Sequence, residues 1–213
     1  MPNIPLAERL RPKTIDEYIG QEHLVGRNGV FRKFFETGNV PSFILWGPPG
    51  VGKTTLAKIV ATQLDRPFFT LSAVTSGVKE VREVIESARK QRFFDQRPPF
   101  LFIDEIHRFN KSQQDSLLGA VEQGIVTLIG ATTENPSFEV ISPLLSRCQV
   151  YILRPMEDKD LQTLLDRALT ADIELREREI EVQQTGALFR FAGGDARKLL
   201  NILDIIVGAT DGK

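Results

Sequence analysis

The sequence predicts an α/β fold, a parallel sheet sandwiched by helices and followed by a small all-helical domain. Three observations carry that expectation. Phe43-Ile44-Leu45-Trp46, Phe100-Leu101-Phe102-Ile103 and Ile125 to Ala131 are runs too apolar to alternate, as strands covered on both faces require. Between them lie segments whose apolar residues recur at helical spacing. Beyond Pro155 the strand-like runs stop and helical patterns take over. The predicted division is residues 1–154 and 155–213, joined by a short hinge, with residues 1–21 as an arm at the start of the first part. The alternative for the second part is a subdomain that only buries the edge of the sheet.

In the arm, three prolines and the string Glu8-Arg9-Leu10-Arg11-Pro12-Lys13 read as extended chain rather than helix, with a solvated tail as the alternative. Ile19-Gly20-Gln21 leads into a short helical stretch, and Val30 to Glu36 is another. The strand Phe43 to Trp46 feeds the loop Gly47-Pro48-Pro49-Gly50-Val51-Gly52-Lys53-Thr54-Thr55, which satisfies the spacing G-x-x-x-x-G-K-[ST]. The glycines allow successive N–H groups to turn inward as a concave anion site, and a helix from Lys53 to Leu64 aims its positive end at the same point. Lys53 would neutralise β- and γ-phosphate charge and the Thr54 hydroxyl would hold Mg²⁺, so a nucleoside triphosphate is the expected ligand.

Pro67 to Leu71 is a further strand, and Ser76 is placed to cap a helix carrying Val78, Val81, Val84, Ile85 and Ala88 on one face. The strand from Phe100 ends in Asp104-Glu105, the pair of carboxylates needed beside a P-loop to bind Mg²⁺ and to activate a water. Asn110 and Gln113 have capping-box spacing ahead of Leu117, Leu118 and Val121. The strand ending at Ala131 closes on Thr132-Thr133, either turn residues or groups within reach of the γ-phosphate. Arg147 stands just before a buried strand, Gln149 to Leu153, where a surface role, an ion pair and a catalytic role are equally open; Cys148 reads as a small buried apolar residue. Helical patterns then cover Leu161 to Ala168, Ile180 to Phe191 and Leu199 to Ile206, with Asp195 as N-cap of the last.

Composition narrows the classes. Over 213 residues, 27 basic and 28 acidic side chains give a net charge of -1, so any nucleic-acid surface must come from local clustering. The candidates are His107, Arg108 and Lys111, or Lys79, Arg82, Arg89, Lys90 and Arg92, although Glu80, Glu83 and Glu86 interleave the second group as on a solvated face. One cysteine excludes an internal disulfide and a multi-thiolate metal site. Neither a leader's apolar region nor a run of about 18 apolar residues is visible, so no membrane association and a cytoplasmic location are expected.

GPPGVGKTT, FLFIDE, GATTENP, Ser-Arg-Cys and Gly-Gly-Asp-Ala-Arg stand in an order that resembles the AAA+ ATPases, in particular the clamp-loader and Holliday-junction-motor branch. ATTENPSFEVISPLLSRC and the opening ERLRPKTIDEYIGQEHL resemble more narrowly the replication-associated recombination protein A family, bacterial relatives of the Werner-helicase-interacting ATPase. The resemblance implies a P-loop AAA+ sheet with a helical lid. It assigns Lys53 and Thr54 to phosphate and Mg²⁺, Asp104 to Mg²⁺, Glu105 to water activation and Thr133 to the sensor 1 position, with Thr132 adjacent and the choice open. It matches Arg147 to an arginine finger acting in trans and Arg197 to sensor 2, with Arg9, Arg11, Pro12, Ile19 and Gly20 packing around adenine. It implies ATP hydrolysis with Mg²⁺ in DNA replication, recombination and repair at stalled forks, ends or gaps, alongside single-strand-binding protein. A clamp-loader subunit and a nucleotide-dependent scaffold with little turnover are the alternatives. Members of that family look about twice as long, so this chain is expected to be an excised ATPase core, largely monomeric and weakly active, even where the full protein is a nucleoid-associated tetramer.

Overall fold

The computed structural model describes residues 4–92, 97–178 and 180–209; the expectations for residues 1–3 of the arm and 210–213 of the helical part lie outside the described residues. Strands β1 (Phe43–Trp46), β2 (Phe68–Ser72), β3 (Phe100–Asp104), β4 (Thr127–Thr132) and β5 (Gln149–Ile152) form one sheet in the order β2-β3-β4-β1-β5. Every pairing is parallel. Helices α1 (Leu6–Arg9), α2 (Glu22–Val25) and α3 (Val30–Thr37) precede β1. The crossovers are α4 (Lys53–Gln63), α5 (Val78–Arg92) and α6 (Lys111–Glu122); short α7 (Pro136–Glu139) and α8 (Ser142–Leu145) lead to β5. Then come α9 (Asp158–Ala171), α10 (Ile173–Arg176), α11 (Gly186–Ala192) and α12 (Ala196–Ala209).

The unalternating strands have a direct cause. Phe43, Leu45, Phe100 and Phe102 point into one apolar cluster with Phe31, Phe34, Leu56 and Val60, while Ile44, Leu101 and Ile103 point into another with Val81, Ile85 and Leu117. Successive side chains leave opposite faces, and both faces are covered. Each of these buried side chains contributes about 1.5–3 kcal/mol. Parallel pairing also brings the C-terminal ends of β1, β3 and β4 to one edge of the sheet.

Local signals behave as physics requires at most positions. Asn110 and Gln113 form the reciprocal capping box at α6. Asp195 caps α12 by accepting the Lys198 N–H at 2.9 Å. Cys148 is buried and its thiol is pushed up to about 12 by desolvation.

Four expectations need correction. Part of the arm is helical and packed rather than extended or solvated: Leu6 opens α1, Leu10 follows its last residue one turn on, and both join a third apolar cluster with Leu161, Leu165, Leu199 and Leu203. The helix expected from Ile180 begins only at Gly186, because Ile180 and Val182 alternate with Glu181 and present a period of two rather than 3.6. Helix α5 starts at Val78, so Ser76 lies before the capping position, and its carbonyl instead accepts from Gln113 Nε2 at 2.8 Å. Finally, β5 is an edge strand whose Val150 and Ile152 are 38% and 51% exposed rather than a buried one.

Candidate nucleotide-binding site

Strand β1 delivers the chain to the loop from Gly47, and α4 opens at Lys53 as the loop ends. Gly50 and Gly52 take φ of +71° and +95°, which residues with a Cβ rarely adopt. Space forbids a side chain as well: a Cβ on Gly50 would sit inside the Asp195 carboxylate, and one on Gly52 would meet the Tyr18 hydroxyl. Lys53 is 8% exposed, and its Nζ donates to the carbonyls of Gly47 at 2.7 Å and Pro48 at 2.8 Å. Burial holds its pKa below the usual lysine range, against the opposing pull of Glu105 and Asp104.

Above the loop lies a cavity of about 480 Å³ walled by four separate stretches of chain. The loop and α4 contribute Pro49, Gly50, Val51, Gly52, Lys53, Thr54 and Thr55; β3 contributes Asp104 and the following Glu105. The arm contributes Glu8, Leu10, Arg11, Pro12, Tyr18 and Ile19. The helical segment contributes Met156, Leu164, Arg167, Ala196, Arg197, Leu200 and Asn201. The walls are tied together: Tyr18 Oη donates to the Val51 carbonyl at 2.9 Å, Arg11 Nη1 to Thr55 Oγ1 at 3.0 Å, and the Ala196 N–H to the Gly50 carbonyl at 3.2 Å. Arg11 also pairs with Glu8.

The acidic side of the cavity is equally constrained. Burial first, and the neighbouring Glu105 second, push the Asp104 carboxyl above its usual range. Glu105 has φ of +54°, a left-handed backbone that is costly for a residue with a side chain. Thr133 Oγ1 donates to its Oε2 at 3.3 Å. A cavity that disfavours charge on both its lysine and its aspartate is poised for a ligand that brings the opposite charges to each.

The structure brings together Arg11, Pro12, Ile19, the loop from Pro49 to Thr55, Asp104, Glu105 and Arg197. Gly47 and Pro48 serve through their carbonyls on Lys53, and Thr133, not Thr132, touches Glu105. Gly20, at φ +78°, faces Asp160 instead of the cavity. Arg147 is also elsewhere: its Nη2 lies 2.5 Å from Glu122 Oε1 and its Nη1 donates to the Pro143 carbonyl at 2.6 Å. Among the basic candidates, Arg108 and Lys111 are exposed, Lys79 pairs with Glu83 and Arg89 with Glu86, and His107 turns inward to Glu105. The Arg92 side chain lies outside the described residues. Sequence reasoning missed Tyr18, whose only signal was an aromatic residue in a polar arm, and the wall residues Met156, Leu200 and Asn201, which carry no motif.

Arg9 does not line the cavity. Its guanidinium makes two bonds to Asp172, at 2.7 and 3.0 Å, where Asp172 also accepts the Glu174 and Leu175 N–H groups at the start of α10. The Arg9 hydrogen bond is the largest influence holding the Asp172 carboxyl below its usual range. Arg9→Ala is expected to cost about 1.5–3 kcal/mol by stranding a buried carboxylate, read as a lower urea midpoint at unchanged slope. Because the folded pKa is depressed, this contribution is present above the ordinary carboxylate range and lost as pH falls beneath it. An unchanged midpoint at neutral pH would count against the clasp.

A triphosphate-sized cavity over a glycine-rich loop, at the carboxyl edge of a parallel sheet with an acidic pair two strands away, defines the class of P-loop nucleotide-binding proteins. Within it, the chain belongs to the AAA family, the ATPase family associated with various cellular activities, whose model matches residues 43–156. It is 44% identical over 210 residues to replication-associated recombination protein A of Haemophilus influenzae, covering 97% of this chain and 47% of that one. It is 47% identical to the ATPase WRNIP1 of Dictyostelium discoideum, covering 96% of this chain and 24% of that one. The solved RuvB Holliday junction branch migration motor of Thermotoga maritima superposes with a TM-score of 0.75 at 30% identity, over 96% of this chain and 69% of that one. The resemblance read from the motif order therefore holds, and the chain spans about half the length or less of the curated relatives it matches.

Thr54 and Asp104 offer the hard oxygen donors that Mg²⁺ prefers. Among the described residues no group of three or more His, Cys, Asp or Glu gathers as a metal cage. Mg²⁺ keeps several waters and phosphate oxygens among its ligands, so two protein oxygens are enough to hold it. Among the described residues no helix is long and apolar enough to cross a membrane.

Proposed function

We propose that this chain is the ATP-hydrolysing core of a DNA replication and recombination protein acting at stalled forks, ends or gaps. The observation that carries the hydrolytic reading is the convergence of Lys53, Thr54, Asp104, Glu105 and Arg197 on one cavity. Lys53 leaves its loop carbonyls to meet the β- and γ-phosphates, and Arg197 reaches them from the start of α12. Thr54 and Asp104 would hold Mg²⁺, which would offset the charge that builds on the phosphates. Glu105 accepts a proton from the attacking water, and Thr133 steadies it. Arg11, Pro12 and Ile19 flank the base.

Arg147 acts on the ATP of a neighbouring subunit, a role supported by its half-exposed place outside its own cavity. The active form is then an oligomer, a tetramer in the longer protein, working in the cytoplasm on the nucleoid with single-strand-binding protein. The names of the recombination-protein relatives support the DNA role, and exposed Arg108 and Lys111 beside the Glu105 turn are its contact. Two phosphate contacts alone lower affinity about 10-fold for a fourfold rise in salt. Forked DNA is therefore expected to raise ATP hydrolysis and to bind with steep salt dependence; a binding constant flat across salt would exclude the DNA contact.

A further inference from the structure

Two groups hold the Glu105 carboxylate, and only Thr133 has a part in the mechanism above. The other is His107. Glu105 precedes the 3-10 turn Ile106–Arg108, which folds the imidazole back so that its Nδ1 is 3.2 Å from Glu105 Oε2 and 3.0 Å from Thr132 Oγ1. The His107 side chain is 12% exposed.

The hydrogen-bond inventory assigns the proton. Thr132 Oγ1 accepts the Glu134 N–H at 3.0 Å and gives its single proton to the Glu134 carbonyl at 3.2 Å. With that proton on the Glu134 carbonyl, it can accept from His107. Glu105, as a carboxylate, can only accept. The carboxylate therefore requires a proton on Nδ1, from which Thr132 Oγ1 also accepts.

We propose that His107 is a positioning residue for Glu105, which anchors the carboxylate to Thr132 at the end of the central strand β4. Both His107 and Thr133 meet Oε2, which leaves Oε1 as the oxygen available to a water. The anchor also holds Glu105 in its left-handed backbone, a conformation that persists only where its surroundings impose it. This rests on the reading of Glu105 as the group that activates water.

The test compares His107→Ala, His107→Asn and His107→Gln with Glu105→Gln in steady-state ATP hydrolysis. An asparagine amide reproduces a donor at Nδ1 and a glutamine amide one at Nε2. The alanine variant is expected to lose about 10- to 100-fold in kcat, at unchanged KM for ATP and with a cooperative thermal transition retained. Asparagine restores most of the loss and glutamine does not. A fully active His107→Ala beside an inactive Glu105→Gln overturns this proposal alone, as does an alanine variant faster than wild type. Equal turnover by Glu105→Gln and wild type overturns the reading of Glu105 and this proposal with it. Nitrogen-15 spectra of the wild-type imidazole give a readout independent of turnover: the Nδ1–H tautomer is expected, and the Nε2–H tautomer contradicts the anchor.

Discussion

Glu105→Gln is expected to lower steady-state ATP hydrolysis by about 10²-fold or more while ATP still binds. The substitution keeps the size of the side chain and its hydrogen bond from Thr133 but removes the basic oxygen. Lys53, Thr54, Asp104 and Arg197 are untouched, and they are the groups that meet phosphate and Mg²⁺ in the proposed site. The consequence is a protein that loads nucleotide and fails to turn it over. Comparable activity in the two proteins would mean that the water is activated elsewhere.

Arg147→Ala is expected to have the larger effect, about 10³-fold or more in kcat, if its charge stabilises the transferring phosphoryl group. The structure gives the effect a direction in space. Arg147 is held on its own subunit by Glu122 and Pro143 and lines no part of its own cavity, so the proposed loss is expected to act through a neighbour. Mixing separates the cases. At concentrations where light scattering reports association, Glu105→Gln and Arg147→Ala subunits each supply what the other lacks, and activity returns above that of either alone. A mixture no more active than its parts would place the role of Arg147 within one subunit or remove it.

Much of the fold was legible because its signals are local. The strands Phe43–Trp46 and Phe100–Asp104 announce burial on both faces by failing to alternate, and the capping residues Asn110 and Asp195 act within four residues of themselves. The P-loop and the acidic pair were legible for the same reason, since each is a short run with fixed geometry. What escaped depends on distant partners. Arg9 reads as a site residue until Asp172, 163 positions later, claims its guanidinium. His107 reads as a basic surface residue because only the 3-10 turn reverses it onto Glu105. Tyr18 joins the site by reaching Val51 across 33 positions, a contact that no periodicity encodes.

The central claim is that the cavity between the loop, the arm and the helical segment is a site for ATP. Calorimetric titration of the chain with ATP and Mg²⁺, set beside Lys53→Ala, tests it most directly. One site per chain is predicted, weakened about 10- to 100-fold by the substitution, as expected for loss of charge-assisted bonds to phosphate. No binding by the wild-type chain, or equal affinity in the two proteins, would contradict it.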